Sequence, residues 1–276
     1  MKYKNGLFLF HRDLRIVDNT GLLLSSKQCE KVYTCFIFTP EQVKKNDYKS
    51  TNSTEFMLES LQDLQHDIQE RQGKLILMYN DTISSLKHLI QELHIECVYF
   101  NQDYTPYAKQ RTTEVLAMCN KEQIQCETSH DYCIADPGTI LNQSGTTYVR
   151  FNAFYEAMFF HHEFTLPNKK AITNFAKTSK RLMHTLSLPE AFDKLVKTKN
   201  PQLAVHGGRS LGKSMLRKAV GRLEDYGESR DDMSQQTSMM SAYIKFGCVS
   251  IREVMNTFKA VSNTQLRAHE TVDKRV

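Results

Sequence analysis

The sequence predicts an α/β protein in which a five-stranded parallel sheet is followed by a basic, helical second part. Three observations carry this. Short apolar runs alternate with helix-period segments through residues 1–130, strand-like runs then stop, and the charge changes sign in the second part. Buried parallel strands read as continuous apolar runs rather than as alternating ones.

The first run is Gly6 to Phe10 (GLFLF), the second Val32 to Phe38 (VYTCFIF), the third Lys74 to Tyr79 (KLILMY) and the fourth Cys97 to Asn101 (CVYFN). Ile124 to Glu127 is a weaker fifth. Between them, Thr54 to Arg71 carries Phe56, Met57, Leu61, Leu64 and Ile68 at helical spacing, and Gly73 follows as a stop. Ile83 to Leu93 places Ile83, Leu86, Leu89, Ile90 and Leu93 on one stripe. A third helix opens at Thr105-Pro106, a cap followed by proline in the first turn. Repeated strand–helix units imply right-handed crossovers, with ligands bound beyond the carboxyl ends of the strands. Polar residues fall at that end: His11-Arg12-Asp13, Thr39-Pro40-Glu41 and Asn101-Gln102-Asp103-Tyr104. No G-x-G-x-x-G follows a strand, so a dinucleotide fingerprint is absent.

Residues 128–150 are turn-rich, and Tyr148 to Phe160 is an aromatic helical stretch expected to pack onto the sheet. Residues 131–206 read as a connecting segment and residues 207–276 as a helical region. Residues 1–160 carry 16 Lys+Arg against 20 Asp+Glu, a net −4; residues 161–276 carry 20 against 11, a net +9. A basic half suits a polyanionic partner. The seven cysteines (Cys29, Cys35, Cys97, Cys119, Cys126, Cys133 and Cys248) form no C-x-x-C pair, which predicts a reducing compartment and an intracellular, soluble protein. No apolar run approaches the ~20 residues that span a bilayer, and no cleaved signal is expected.

Gly207-Gly208-Arg209-Ser210-Leu211-Gly212-Lys213-Ser214 fits the phosphate-loop string G-x-x-x-x-G-K-S. That motif needs a buried strand just before it, and Asn200 to His206 does not read as one, so a nucleotide-binding role is only an alternative.

Six segments, in order along the chain, resemble the DNA photolyase/cryptochrome family. His11-Arg12-Asp13-Leu14-Arg15-Ile16-Val17-Asp18-Asn19 is similar to its opening signature, with His11 in place of an arginine. Phe36 to Pro40 and Asn101 to Tyr107 resemble its second- and fourth-strand ends, and Tyr148 to Tyr155 the aromatic segment that closes its antenna domain. Gly207-Gly208-Arg209 resembles the start of a helix in its flavin domain, and Thr237 to Glu253 its T-S-x-L-S-P-Y-L-K-F-G-x-V-S-x-R-E block.

The resemblance implies a Rossmann-like antenna domain over residues 1–130 and the start of an all-helical FAD-binding domain from residue 207. It implies FAD contacts at Tyr226, Thr237, Ser238, Met239, Met240 and Ser241, a DNA-phosphate contact at Arg230, and an antenna chromophore of unspecified identity. The family's activity is light-driven splitting of pyrimidine dimers in ultraviolet-damaged DNA. The later helices of the family pattern have no counterpart here, and the chain contains no tryptophan. The expectation is therefore a truncated homologue without repair activity of its own. Alternatives are the first part of a split photolyase completed by a second polypeptide, and an antenna-domain binding module.

Overall fold

The computed structural model describes residues 1–44, 49–222, 231, 232, 234 and 236–260. The elements are β1 (Tyr3–Phe10), α1 (Thr20–Gln28), β2 (Cys29–Phe38), α2 (Pro40–Val43), α3 (Thr51–Glu70), β3 (Leu75–Tyr79), α4 (Thr82–Leu93), β4 (Cys97–Asn101), α5 (Pro106–Lys121) and β5 (Gln125–Ser129). They continue with α6 (Phe151–His161), α7 (Leu188–Leu195), α8 (Arg209–Val220) and α9 (Ser241–Lys245). A closing helix covers 251–260.

The five strands form one parallel sheet in the order β3-β2-β1-β4-β5. All five expected strands are present. β1, the middle strand, is buried over its last five residues because both faces are covered. One face packs Phe8, Phe10 and Phe36 against Leu22 of α1, Leu58, Leu61 and Leu64 of α3, and Leu188, Ala191 and Leu195 of α7. The other packs Leu7, Leu9 and Val98 against Leu86 and Leu89 of α4 and Val115 of α5. Side-chain oxygens of Asn19, Ser50, Asp81 and Thr105 cap α1, α3, α4 and α5, so these helices start where capping residues precede the apolar stripes.

The connecting segment does more than link two regions, because it sutures the sheet. Asn174 O accepts from Val32 N (2.9 Å) and Ala176 N donates to Val32 O (2.8 Å). Tyr79 N donates to His184 O (2.8 Å) and Leu186 N to Leu77 O (2.9 Å). These last bonds cover β3, an edge strand whose open amides would otherwise be free to pair with another chain. The aromatic stretch is helical, as its spacing predicts, but α6 buries only Met158; its rings face solvent instead of packing onto the sheet.

A smaller core lies beside the first. Phe56 of α3 meets Leu216 and Ala219 of α8, Tyr243 of α9, and Cys248, Val249 and Val254. Gly207 makes this approach possible: a Cβ there would lie 2.1 Å from the Phe56 carbonyl oxygen.

Candidate functional site

The chain leaves β1 into the loop that carries the HRDLR string, and the loop splits its side chains between two tasks. Leu14 and Ile16 enter the core. Arg15, Asp18 and Asn19 build a buried joint. The Arg15 guanidinium pairs with Asp131 and donates to Asp18 O (2.6 Å) and Gly247 O (3.2 Å). Arg252 of the closing helix donates to both Asp18 oxygens (Nε, 3.0 and 2.9 Å) and to Asp131 Oδ1 (Nη2, 2.7 Å), and Ser250 Oγ donates to Asp18. Two arginines and two carboxylates thus neutralise one another out of water, which makes the arrangement stable to burial only while it stays complete. Despite burial, the paired guanidiniums of Arg15 and Arg252 hold Asp131 below the usual carboxylate range.

Asp13 sits between joint and surface. Its Oδ1 accepts from His11 N (2.8 Å) and its Oδ2 from Asn101 Nδ2 (2.6 Å). Burial, with Asp131 nearby, outweighs these bonds and pushes its carboxyl up to about 6.

His11 and Arg12 turn outward into a cavity of about 660 Å³ at the carboxyl ends of β1 and β2 and the start of α5. Phe36, Phe38 and Phe246 give it apolar walls, and Met57 of α3 lines it too. Arg12, Lys49, Arg111 and Lys245 line it against only Glu41 and Asp103, and Asp103 is already paired with Arg12 (2.8 Å). The first turns of α3 (Ser53, Thr54) and α5 (Tyr107) border it, adding the positive ends of two helices. Several buried polar atoms have no hydrogen-bond partner: the Arg12 and Arg111 Nε donors and both ring nitrogens of His11, one a donor and one an acceptor in the neutral ring. Burial, helped by the Arg111 charge, holds the His11 imidazole well below its usual range, so it stands neutral. A planar group with an anionic arm fits this donor set; a cation does not.

The other expected positions lie elsewhere. Thr237 to Ser241 form the half-buried lead into α9: Thr237 O accepts from Arg222 (3.2 Å), Ser238 Oγ accepts from Met240 N (3.4 Å), and Met239 takes a positive φ of 55°. Ser241 is exposed, while Met240 is buried in the small core. Tyr226 and Arg230 lie outside the described residues. The phosphate-loop string does not act as one. Its Gly207, Gly208 and Arg209 amides donate to Glu59 Oε2 (2.7 Å), Ser60 Oγ (3.1 Å) and Asp63 Oδ2 (2.7 Å) on α3. Two carboxylates occupy the place where phosphate would sit, and no strand precedes the loop. Arg111 and Lys49 belong to no motif in the sequence, and Lys245 stands there only within the Thr237 to Glu253 block; the fold brings the three to one cavity.

Fold and site together define an α/β protein with an open cavity at the carboxyl edge of its sheet, bordered on one side by a helical block through Lys245 and Phe246. A family model described as DNA photolyase matches residues 6–173, and the chain belongs to that family. The Deoxyribodipyrimidine photo-lyase of Synechococcus sp. (strain ATCC 27144) is 30% identical over 150 residues, 54% of this chain and 31% of its own length. A 31.6 kDa protein of Synechococcus sp. (strain PCC 6716) is 24% identical over 258 residues, 92% of this chain and 89% of its own. The archaeal photolyase of Sulfolobus tokodaii, crystallised with two FAD molecules, is 25% identical with a TM-score of 0.78 over 92% of this chain and 55% of that one. A class III photolyase of Agrobacterium tumefaciens shares the fold at a TM-score of 0.82, covering 95% of this chain and 54% of that one. The chain thus spans about half the length of these solved photolyases.

Proposed function

We propose that this chain is a light-collecting, chromophore-binding unit of the photolyase type, and that it does not split pyrimidine dimers unaided. The cavity at the carboxyl edge of the sheet carries the reading: aromatic walls, four lining cations and buried donors without partners make a receptor for a planar chromophore bearing an anionic group. A bound pigment of this class would supply absorption of blue light and transfer of excitation to a flavin. The chain's own part is to hold the ring between Phe36, Phe38 and Phe246, to meet its anionic arm with Arg111, Lys49 and Lys245, and to present neutral His11 to a ring heteroatom. Residues 237–241 would contribute hydroxyls, at Ser238 and Ser241, to the pyrophosphate of FAD, and the basic second part would meet DNA phosphates. The second clause of the proposal is supported by the absence of any tryptophan among the 276 residues.

Titration of the purified chain with a flavin nucleotide, followed by quenching of flavin fluorescence, tests the pocket. Saturable binding lost in Arg111→Ala and retained in Lys213→Ala is the expected result, and no binding of flavin nucleotides or deazaflavins would overturn it. Repair of an irradiated oligonucleotide by this chain alone under blue light would overturn the second clause.

A further inference from the structure

His11 lines the cavity, and its side chain makes none of the bonds an imidazole can make. Its main-chain amide donates to Asp13 Oδ1 (2.8 Å). Its ring lies edge-on to Phe100, 5.6 Å between centroids, and both ring nitrogens are buried without a hydrogen-bond partner. A neutral imidazole in that position leaves one donor and one acceptor unused, whereas a protonated one would leave two donors and a charge. In the chain by itself, burial and the Arg111 guanidinium therefore keep the proton off, against a weaker pull from the Asn101 backbone.

An anionic arm seated on Arg111 reverses that balance. It neutralises the guanidinium that repels a second cation, and it brings acceptor oxygens and a negative charge to the imidazole. The charged groups already around the cavity do not replace it. Arg12 is tied to Asp103 (2.8 Å), and Lys49 and Lys245 add to the repulsion. Asp13 receives the His11 amide rather than the ring, Glu41 is exposed on α2, and the Tyr107 hydroxyl is held by Thr39 (3.2 Å). We infer that His11 couples ligand binding to proton uptake: as the anionic arm docks on Arg111, the imidazole takes one proton from solvent and donates to the bound molecule. The inference rests on the chromophore reading of the cavity and adds its regulation, since by linkage the ligand binds more tightly in mild acid. An arginine at position 11 would carry its charge at every pH and a glutamine none; a histidine lets the charge arrive with the ligand.

Binding of FAD to the full chain, measured at about pH 6 and about pH 8, tests this, because its pyrophosphate lacks the ionisation near 6 of a phosphate monoester. The wild-type chain should bind about threefold or more tightly at the lower pH, as one linked proton allows. That ratio should fall to about one in His11→Gln and in His11→Arg, and should persist in Asp13→Asn, the other buried group whose proton can follow an anion. A smaller wild-type ratio overturns the inference, as does a ratio kept in His11→Gln or lost in Asp13→Asn. FAD that binds at neither pH, or that binds as well to Arg111→Ala, overturns the chromophore reading of the cavity together with it. If the variants at position 11 do not fold, NMR of the wild-type chain decides. At about pH 6 the His11 ring-carbon shift should move from the neutral to the protonated position on saturation with FAD, and a ring that stays neutral overturns the inference.

Discussion

Asp13 lies within hydrogen-bonding reach of the His11 amide and Asn101, yet burial raises its carboxyl from 3.8 to about 6. The unfolded chain releases that proton at lower pH than the folded one. Between about pH 4 and 6 the folded state therefore binds more protons, and this group's contribution to stability is present in acid and lost as pH rises through 6. A carboxyl-carbon NMR titration should place the Asp13 midpoint near 6, and a midpoint near 4 would sink the reading. Replacing Asp13 with Asn should flatten the fall in stability across that window. Arg252 is the complementary case: Arg252→Ala leaves Asp18 and Asp131 each short of a buried partner. Urea unfolding should show a loss of about 3–5 kcal/mol at unchanged m, with less lost in Arg252→Lys; a loss under about 1 kcal/mol would show that the joint contributes little. The sequence announced the HRDLR string as a unit. It could not show that Arg15 and Asp18 serve a joint while His11 and Arg12 serve a pocket, because that division depends on where residues 247–252 return.

At the scale of elements, α3 is the clearest lesson. Glu55, Glu59 and Asp63 recur at i and i+4 along α3. Folded, they accept the amides of Asn200 (3.0 Å), Gly207 (2.7 Å) and Arg209 (2.7 Å), holding the chain as it enters α8. The phosphate-loop string was visible for the same reason that it misleads: glycines allow close approach to an anion, and here the anion is a protein carboxylate. In Gly207→Ala the new methyl would collide with the Phe56 carbonyl and Ser60 Oγ, so α8 must move off α3. A cost of about 2 kcal/mol or more is expected, with faster amide exchange in α8 than in β1; equal melting temperatures for variant and wild type would contradict the packing. Helix α6 was readable as a helix from spacing, but its sequence is apolar on nearly every side, and such a helix does not say what covers it.

For the molecule as a whole, the strand–helix alternation was readable because buried parallel strands need unbroken apolar runs, and all five are where those runs stand. The pocket was readable only as a location, the carboxyl edge; its charge came from Lys49, Arg111 and Lys245, which are scattered in sequence. Because Phe36 and Arg111 belong to the sheet and its helices while Lys245 and Phe246 belong to the helical block, a ligand bound as proposed would touch both. A flavin nucleotide at a hundred times its dissociation constant should stabilise the fold by about 2.7 kcal/mol. Calorimetry should show the two cores melting in one shifted transition, and a ligand shift confined to one of two transitions would show that they unfold independently.

The stitching of residues 174–186 along β2 and β3 also decides what a protease can accomplish. The turn at Asn142–Thr146 is exposed, and a single cut there divides the sheet from every helix after it. Yet the severed second piece still supplies the strand-edge bonds, α7 and the arginine that locks Asp18. Nicked material should therefore elute as one particle in native buffer and separate only in denaturant, behaving as two polypeptides with a single fold.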